Sequence, residues 1–136
     1  MKALSIFLLV LSVSLKIQAQ EWNNYYDSDS LAIHFRLEEI NDPAQGIHHK
    51  RIVFQYVNKT AVELTVSFNR VLTYSDTNEP NVQDKRYVIV LPANTTYAYD
   101  PNKTRDKSYY IFAQDVKGTI KKTLVDFQLL NVQLNN

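Results

Sequence analysis

Residues 50–74, KRIVFQYVNKTAVELTVSFNRVLTY, contain two runs of alternating apolar and polar character divided by one short polar break. Ile52, Phe54 and Tyr56 alternate with Val53, Gln55 and Val57. Val62, Leu64, Val66 and Phe68 alternate with Glu63, Thr65, Ser67 and Asn69. A period of two belongs to extended strands that turn one face to a core. Asn58, Lys59 and Thr60 separate the runs, and asparagine tolerates the positive φ that a tight turn often requires. The stretch therefore reads as a long antiparallel hairpin with Phe68 in the core and Glu63 on the wet face.

The remaining sequence repeats this grammar. Leu31, Ile33, Phe35 and Leu37 alternate with Ala32, His34, Arg36 and Glu38, which predicts a strand over about residues 31–40. Residues 75–84, SDTNEPNVQD, form the most polar loop, and Pro80 argues against a continuing ladder there. Residues 85–91 follow as a strand whose consecutive Tyr87, Val88, Ile89 and Val90 point to burial on both faces. Pro92 stops it. Residues 96–99 read as a short strand, 100–107 as a second exposed loop, and 108–115 as another strand, with Lys117 and Gly118 turning the chain. In the last run, residues 124–134, Val125, Phe127 and Leu129 share one parity and Leu130, Val132 and Leu134 the other. That switch predicts a β-bulge near Leu129. The fold class expected is all-β, an antiparallel immunoglobulin-like β-sandwich of about seven strands. Residues 20–30, which include Trp22, Tyr25 and Tyr26, receive no element.

Composition narrows the chemistry. Two glycines, and no GxxxxGK[ST] or GxGxxG, remove the usual phosphate-cradling loops. The absence of cysteine removes disulfides, zinc–thiolate sites and thiol nucleophiles together. The formal charge is +1, but Lys2 and Lys16 lie in the leader, which leaves 13 basic against 14 acidic residues and gives nucleic acid no electrostatic footing.

Residues 1–19 have a basic start at Lys2, an apolar run from Ala3 to Leu15 and a more polar end. The apolar run is about 13 residues, which suits a secretory signal peptide and falls short of the ~20 that span a bilayer. Cleavage is expected between Ala19 and Gln20, although Ile17 is larger than the small residue usual at the −3 position. Without a cysteine after the leader, acylation as a lipoprotein is not available. The domain plan is a signal peptide over 1–19, an N-terminal segment over 20–30 and one β-sandwich domain over 31–136. The expected product is exported, periplasmic or secreted, with no membrane insertion after the signal is removed.

Four segments, VFQYVNKT, LTVSFNRVLTY, VIVLPANTTY and YYIFA, together resemble small exported β-sandwich proteins of unknown function from Gram-negative bacteria. The resemblance rests on a strand, an Asn-Lys-Thr turn, a second strand and a later strand ending in Leu-Pro. Some of those proteins carry a cysteine pair in the loop equivalent to residues 75–84, and this chain does not. The resemblance implies a fold and no activity, so no functional residue is carried over.

Catalysis is not expected. There is no G-x-S-x-G, and Ser67 sits in strand alternation rather than on an elbow. Glu38 and Glu39 are adjacent on a strand and face apart, unlike the paired carboxylates of glycosidases. No metal or cofactor is expected either. His48 and His49 point to opposite faces if extended, and with His34 they are the only histidines. Asp76, Asn78 and Glu79 resemble the start of a calcium loop but lack its Gly and terminal Glu. The sequence favours a binding or structural module with an unidentified protein or glycan partner, and a small extracytoplasmic enzyme or inhibitor is the alternative from another class.

Nine tyrosines are the compositional excess. Tyr97 and Tyr99 share a face if residues 96–99 are extended, with Tyr109 or Tyr110 as candidate neighbours. They are the candidate ligand-binding residues of a carbohydrate-recognition surface, because aromatic faces stack on sugar rings. The structural reading is that tyrosine is simply a favoured strand residue whose hydroxyl stays wet at a rim. Asn58, Asn94 and Asn102 each open an N-x-T sequon in an expected turn.

Overall fold

The computed structural model describes residues 21–98, 107–115 and 122–136. The leader with the Ala19–Gln20 bond, Tyr99, Asn102 and the Lys117–Gly118 turn lie outside the described residues. The described chain forms nine strands: β1 (Asn23–Asp27), β2 (Leu31–Asp42), β3 (Ile47–Asn58), β4 (Leu64–Tyr74), β5 (Pro80–Val82), β6 (Tyr87–Leu91), β7 (Thr96–Ala98), β8 (Tyr110–Asp115) and β9 (Leu124–Asn135). There is no α-helix among them, only short 3-10 turns at Pro43–Gln45 and Lys107–Tyr109.

All pairing is antiparallel and falls into two sheets, one of them curled as a half-barrel. In the first sheet β2 lies between β1 and β3, and the far edge of β3 is shared end to end by β8 (opposite His49 to Val53) and β7 (opposite Gln55 to Val57). In the second sheet β4 pairs with β9 over nearly its whole length, and its other edge is shared by β6 and β5.

The expected hairpin over residues 50–74 does not form. β3 and β4 belong to different sheets, and residues 59–63 carry the chain across the core from one sheet to the other. Alternation fixes which face of each strand is apolar, and two such faces are served equally well by pairing side by side or by facing one another. The long hairpin is instead β2–β3, paired residue for residue from Leu31 opposite Asn58 to Asp42 opposite Ile47. Gly46 closes its tip in the left-handed region at φ 68°.

The predicted parity does hold. Ile33, Phe35, Ile52, Phe54, Tyr56 and Ile111 from the first sheet meet Leu64, Val66, Phe68, Ile89, Leu91 and Phe127 from the second in one core. Rings cross between the sheets, with Phe127 edge-on to Phe35 and Phe54 at 5.2 and 5.7 Å, and Tyr56 stacked on Phe68 at 6.2 Å.

Asn58 holds the crossover. It is 2% exposed. Its amide nitrogen donates to the carbonyls of Val62, Leu91 and Pro92 at 2.9, 3.1 and 3.0 Å, while Oδ1 accepts from the Thr60 amide at 2.9 Å and hydroxyl at 2.7 Å. Its backbone N–H donates to Thr95, and Asn94 N–H donates back to Thr60. The β3-to-β4 and β6-to-β7 crossovers are thereby tied together, each passing between sheets.

Other expectations are corrected. Val62 lies in the crossover and is exposed, not the first inward residue of a strand. β6 alternates instead of burying both faces: Val88 and Val90 are 58% and 51% exposed, because β-branching favours extended backbone whether or not the side chain is covered. The polar loop 75–84 contains β5, with Pro80 as its first residue on an edge where no ladder donor is needed. Residues 20–30 supply β1.

In β9 the predicted bulge is present. Ser67 and Asn69 pair with Gln133 and Leu130, so β9 carries one extra residue, and Asn131 lies there at φ 54°. A second shift between Thr73 and Tyr74 turns Leu124 inward and leaves Val125 exposed, opposite to the parity expected for Val125. Asn78 and Asn94 also adopt positive φ, so asparagine takes the left-handed positions in a chain with two glycines.

Candidate functional site

The outer face of the first sheet is built from the residues that alternate with the core. Register sets Arg36 opposite Val53, Val53 opposite Tyr110, Glu38 opposite Arg51, Arg51 opposite Phe112, and Ile40 opposite His49. A polar parity would ordinarily be washed by solvent. Here Val53 is fully buried and Ile40 nearly so, and Trp22, Tyr109 and Tyr110 pack against them as a second small apolar cluster.

The cover is a layer of flat groups. The Arg36 guanidinium lies 4.3 Å from the Trp22 ring centroid, and its Nε is 3.4 Å from Glu38 Oε2. The Arg51 guanidinium lies 4.0 Å from the Tyr110 ring centroid. Arg51 Nε donates to His49 Nε2 at 2.6 Å, which requires that nitrogen to be unprotonated, and the His49 ring meets Phe112 edge to face at 5.2 Å. Guanidinium planes on aromatic faces are favourable and pre-organised, because the stack fixes the rotamers of otherwise mobile arginines. Next to them His34 Nδ1 and Gln55 Oε1 are 2.9 Å apart. Chemically, the face offers half-buried ring surface beside oriented N–H donors, the combination that stacks on a sugar or peptide plane and hydrogen-bonds its edge.

The residues singled out from sequence are distributed as follows. Tyr97 sits in β7 opposite Tyr56, which places it on the core side of the sheet at its edge, 42% exposed. Tyr99 lies outside the described residues, so no common face for the two is defined. Tyr109 packs edge-on against Tyr56 at 5.7 Å. His48 and His49 are in strand β3, extended as the alternation to opposite faces requires. His48 Nδ1 is 3.2 Å from Asn41 Oδ1 and its Nε2 is 3.5 Å from Glu39 Oε1, on the face opposite His49. Glu38 and Glu39 diverge, one to Arg36 and the other to His48. Ser67 accepts from Arg86 at 3.0 Å. Asp76 Oδ1 accepts from the Thr77 amide at 2.9 Å. Among the described residues no three His, Asp or Glu side chains gather in a metal-binding arrangement, and no helix is long and apolar enough to cross a membrane.

Trp22, Arg36 and Arg51 were not singled out from sequence, and Tyr110 only as a candidate neighbour of Tyr97 and Tyr99. The available signal was the chain's single tryptophan, placed three residues from a pair of tyrosines, and arginines at outward positions of two strands that pair. A comparison with family models, curated proteins and solved structures returns no match for this chain.

Proposed function

We propose that this chain is an exported, non-catalytic β-sandwich of immunoglobulin-like type, and that it recognises a protein or glycan on the outer face of its first sheet. The observation that carries the reading is the pair of ring–guanidinium stacks, Trp22 on Arg36 and Tyr110 on Arg51, over the buried Val53. The layer covers Val53 and Ile40 from one side and turns half-buried ring surface outward on the other. A face that receives a ligand gains fixed rings at low entropic cost.

Trp22 is the sole tryptophan, so its emission reports on this face directly. Titration with soluble oligosaccharides and with a peptide library should shift or quench it for one class of ligand. Trp22→Ala and Tyr110→Ala should abolish retention of that ligand while the circular dichroism spectrum is preserved. Silence of Trp22 with every glycan and peptide, together with capture unaffected by either variant, would refute the assignment. Export is tested separately by intact mass, with a product beginning at Gln20 expected and retention of residues 1–19 in membranes refuting it.

The exposure of Tyr97 supports a second reading, carbohydrate stacking on Tyr97 and Tyr99. Ligand retention lost in a Tyr97→Ala, Tyr99→Ala double variant, but kept in Trp22→Ala, would move the site there.

A further inference from the structure

Strand β1 touches three parts of the molecule at once. Asn24 pairs with His34 and Tyr26 with Ile33, so Tyr25 is an extra residue in a β-bulge. A regular strand would send Tyr25 and Tyr26 to opposite faces, whereas here both pack on the shared core. The Tyr25 ring stacks on Phe127 at 5.6 Å and meets Phe35 edge-on at 6.3 Å. Its hydroxyl accepts the Leu129 N–H at 2.8 Å, a main-chain donor of β9 in the other sheet. Three residues earlier Trp22 lies on the opposite face, against Arg36.

We propose that Tyr25 is the positioning residue of the recognition face: residues 22–27 dock as one strap, and Trp22 covers Arg36 and Val53 while the Tyr25 hydroxyl holds the Leu129 amide. The bearing of the strap on recognition rests on the outer face being the binding surface, but the docking itself does not. Three features make the strap separable. β1 pairs with β2 alone, over four residue pairs broken by the bulge. Its far end is fastened by exposed contacts of Lys59, an ion pair with Asp27 and a hydrogen bond to Ser28 O, a weak class of contact. Peripheral elements of this kind open without global unfolding, and what they order is lost with them.

Two measurements on the full mature chain, neither needing a ligand, test this: native-state hydrogen exchange of individual amides, and acrylamide quenching of Trp22. In the wild type the Leu129 amide and the β1 amides should exchange at a common rate, well below urea concentrations that release the Val66 and Phe54 amides. Tyr25→Phe keeps the ring stack and removes the acceptor. It should raise Trp22 quenching and β1 exchange together, on the order of tenfold in open population. Reciprocally, Trp22→Phe should speed Leu129 exchange while leaving Val66 and Phe54 unchanged.

Leu129 exchanging only with the core amides would overturn the strap. Tyr25→Phe exposing the Leu129 amide with Trp22 quenching unmoved would overturn the coupling and leave Tyr25 as a local cap. Should Tyr25→Phe fail to fold, the wild-type rates and the Trp22→Phe arm still decide the matter. Ligand capture unaffected by Trp22→Ala and Tyr110→Ala would overturn the function without touching these results.

Discussion

Replacing Asn58 tests whether the two-sheet arrangement is held at its crossover. Its side chain engages five partners, two amide hydrogens shared among three main-chain carbonyls and an oxygen accepting twice from Thr60, from a position 2% exposed. Asn58→Ala removes all five at once. A net hydrogen bond is worth about 1 kcal/mol, and a buried partner left unpaired costs about 1–3 kcal/mol. The Thr60 hydroxyl can still donate to Val62 O at 3.0 Å, so some of the loss is recovered locally. The expected destabilisation is about 3–5 kcal/mol, a large share of the 5–15 kcal/mol typical of a domain. Asn58→Asp should be worse, because it removes the donors and turns a carboxylate toward three carbonyl oxygens. Lys59→Ala next door removes only exposed contacts, the pair with Asp27 and a bond to Ser28 O at 2.8 Å, and should cost less than about 1 kcal/mol. Urea titrations followed by circular dichroism and Trp22 emission would measure all three. An Asn58→Ala midpoint as high as that of Lys59→Ala would mean that water replaces the amide, and the account of the crossover given above would be wrong. The same saturation forbids a glycan on Asn58 in the folded protein, whatever becomes of the exposed Asn94.

Phe68 is fully buried between Tyr56 and Tyr87, so Phe68→Ala should cost about 3–5 kcal/mol in urea titrations while Glu63→Ala changes little. Burial raises Tyr25 against the opposing Leu129 hydrogen bond, with nearby Asp126 adding to the rise, and burial also raises Tyr74 against the opposing charge of Arg70. A phenol whose folded pKa lies above the unfolded 10 binds more protons when folded between those two values, so stability should fall as pH rises past about 10. Thermal melts between pH 8 and 11 should show that fall, and Tyr74→Phe with Tyr25→Phe should flatten it. Asn131→Ala forces an ordinary side chain into the left-handed region at the β9 bulge and should cost about 1–2 kcal/mol by the same titration, whereas Asn131→Gly should cost less.

What the sequence reveals and what it hides divides along a physical line. Alternation is local, so the inward sets Ile52, Phe54, Tyr56 and Leu64, Val66, Phe68 are readable, as is the bulge that shifts β9 parity. Pairing is not local. Nothing in residues 58–63 distinguishes a turn within a sheet from a passage between sheets. The deciding fact is that Asn58 finds Leu91 and Pro92, more than thirty residues away. Likewise Val88 and Val90 show that a run of branched residues measures preference for extended backbone rather than burial.

The outer face escaped the sequence for the same reason, and that explains how it is built. Trp22, Arg36, Arg51 and Tyr110 come from four strands or their flanks, and each sits at a position that looks merely polar or peripheral in its own segment. They become a surface only because β2 and β3 pair without a slip over twelve residues and because β8 lies against β3 at Val53. A one-residue slip in β2 would turn Arg36 inward and Phe35 out. The core therefore protects the face: the side chains that make Phe35, Phe54 and Phe127 meet also fix the register that stacks Arg36 on Trp22. Substitutions on the outer face can then alter its surface chemistry without changing the strand register, whereas a change in the core that altered the β2–β3 register would destroy the fold and the face together.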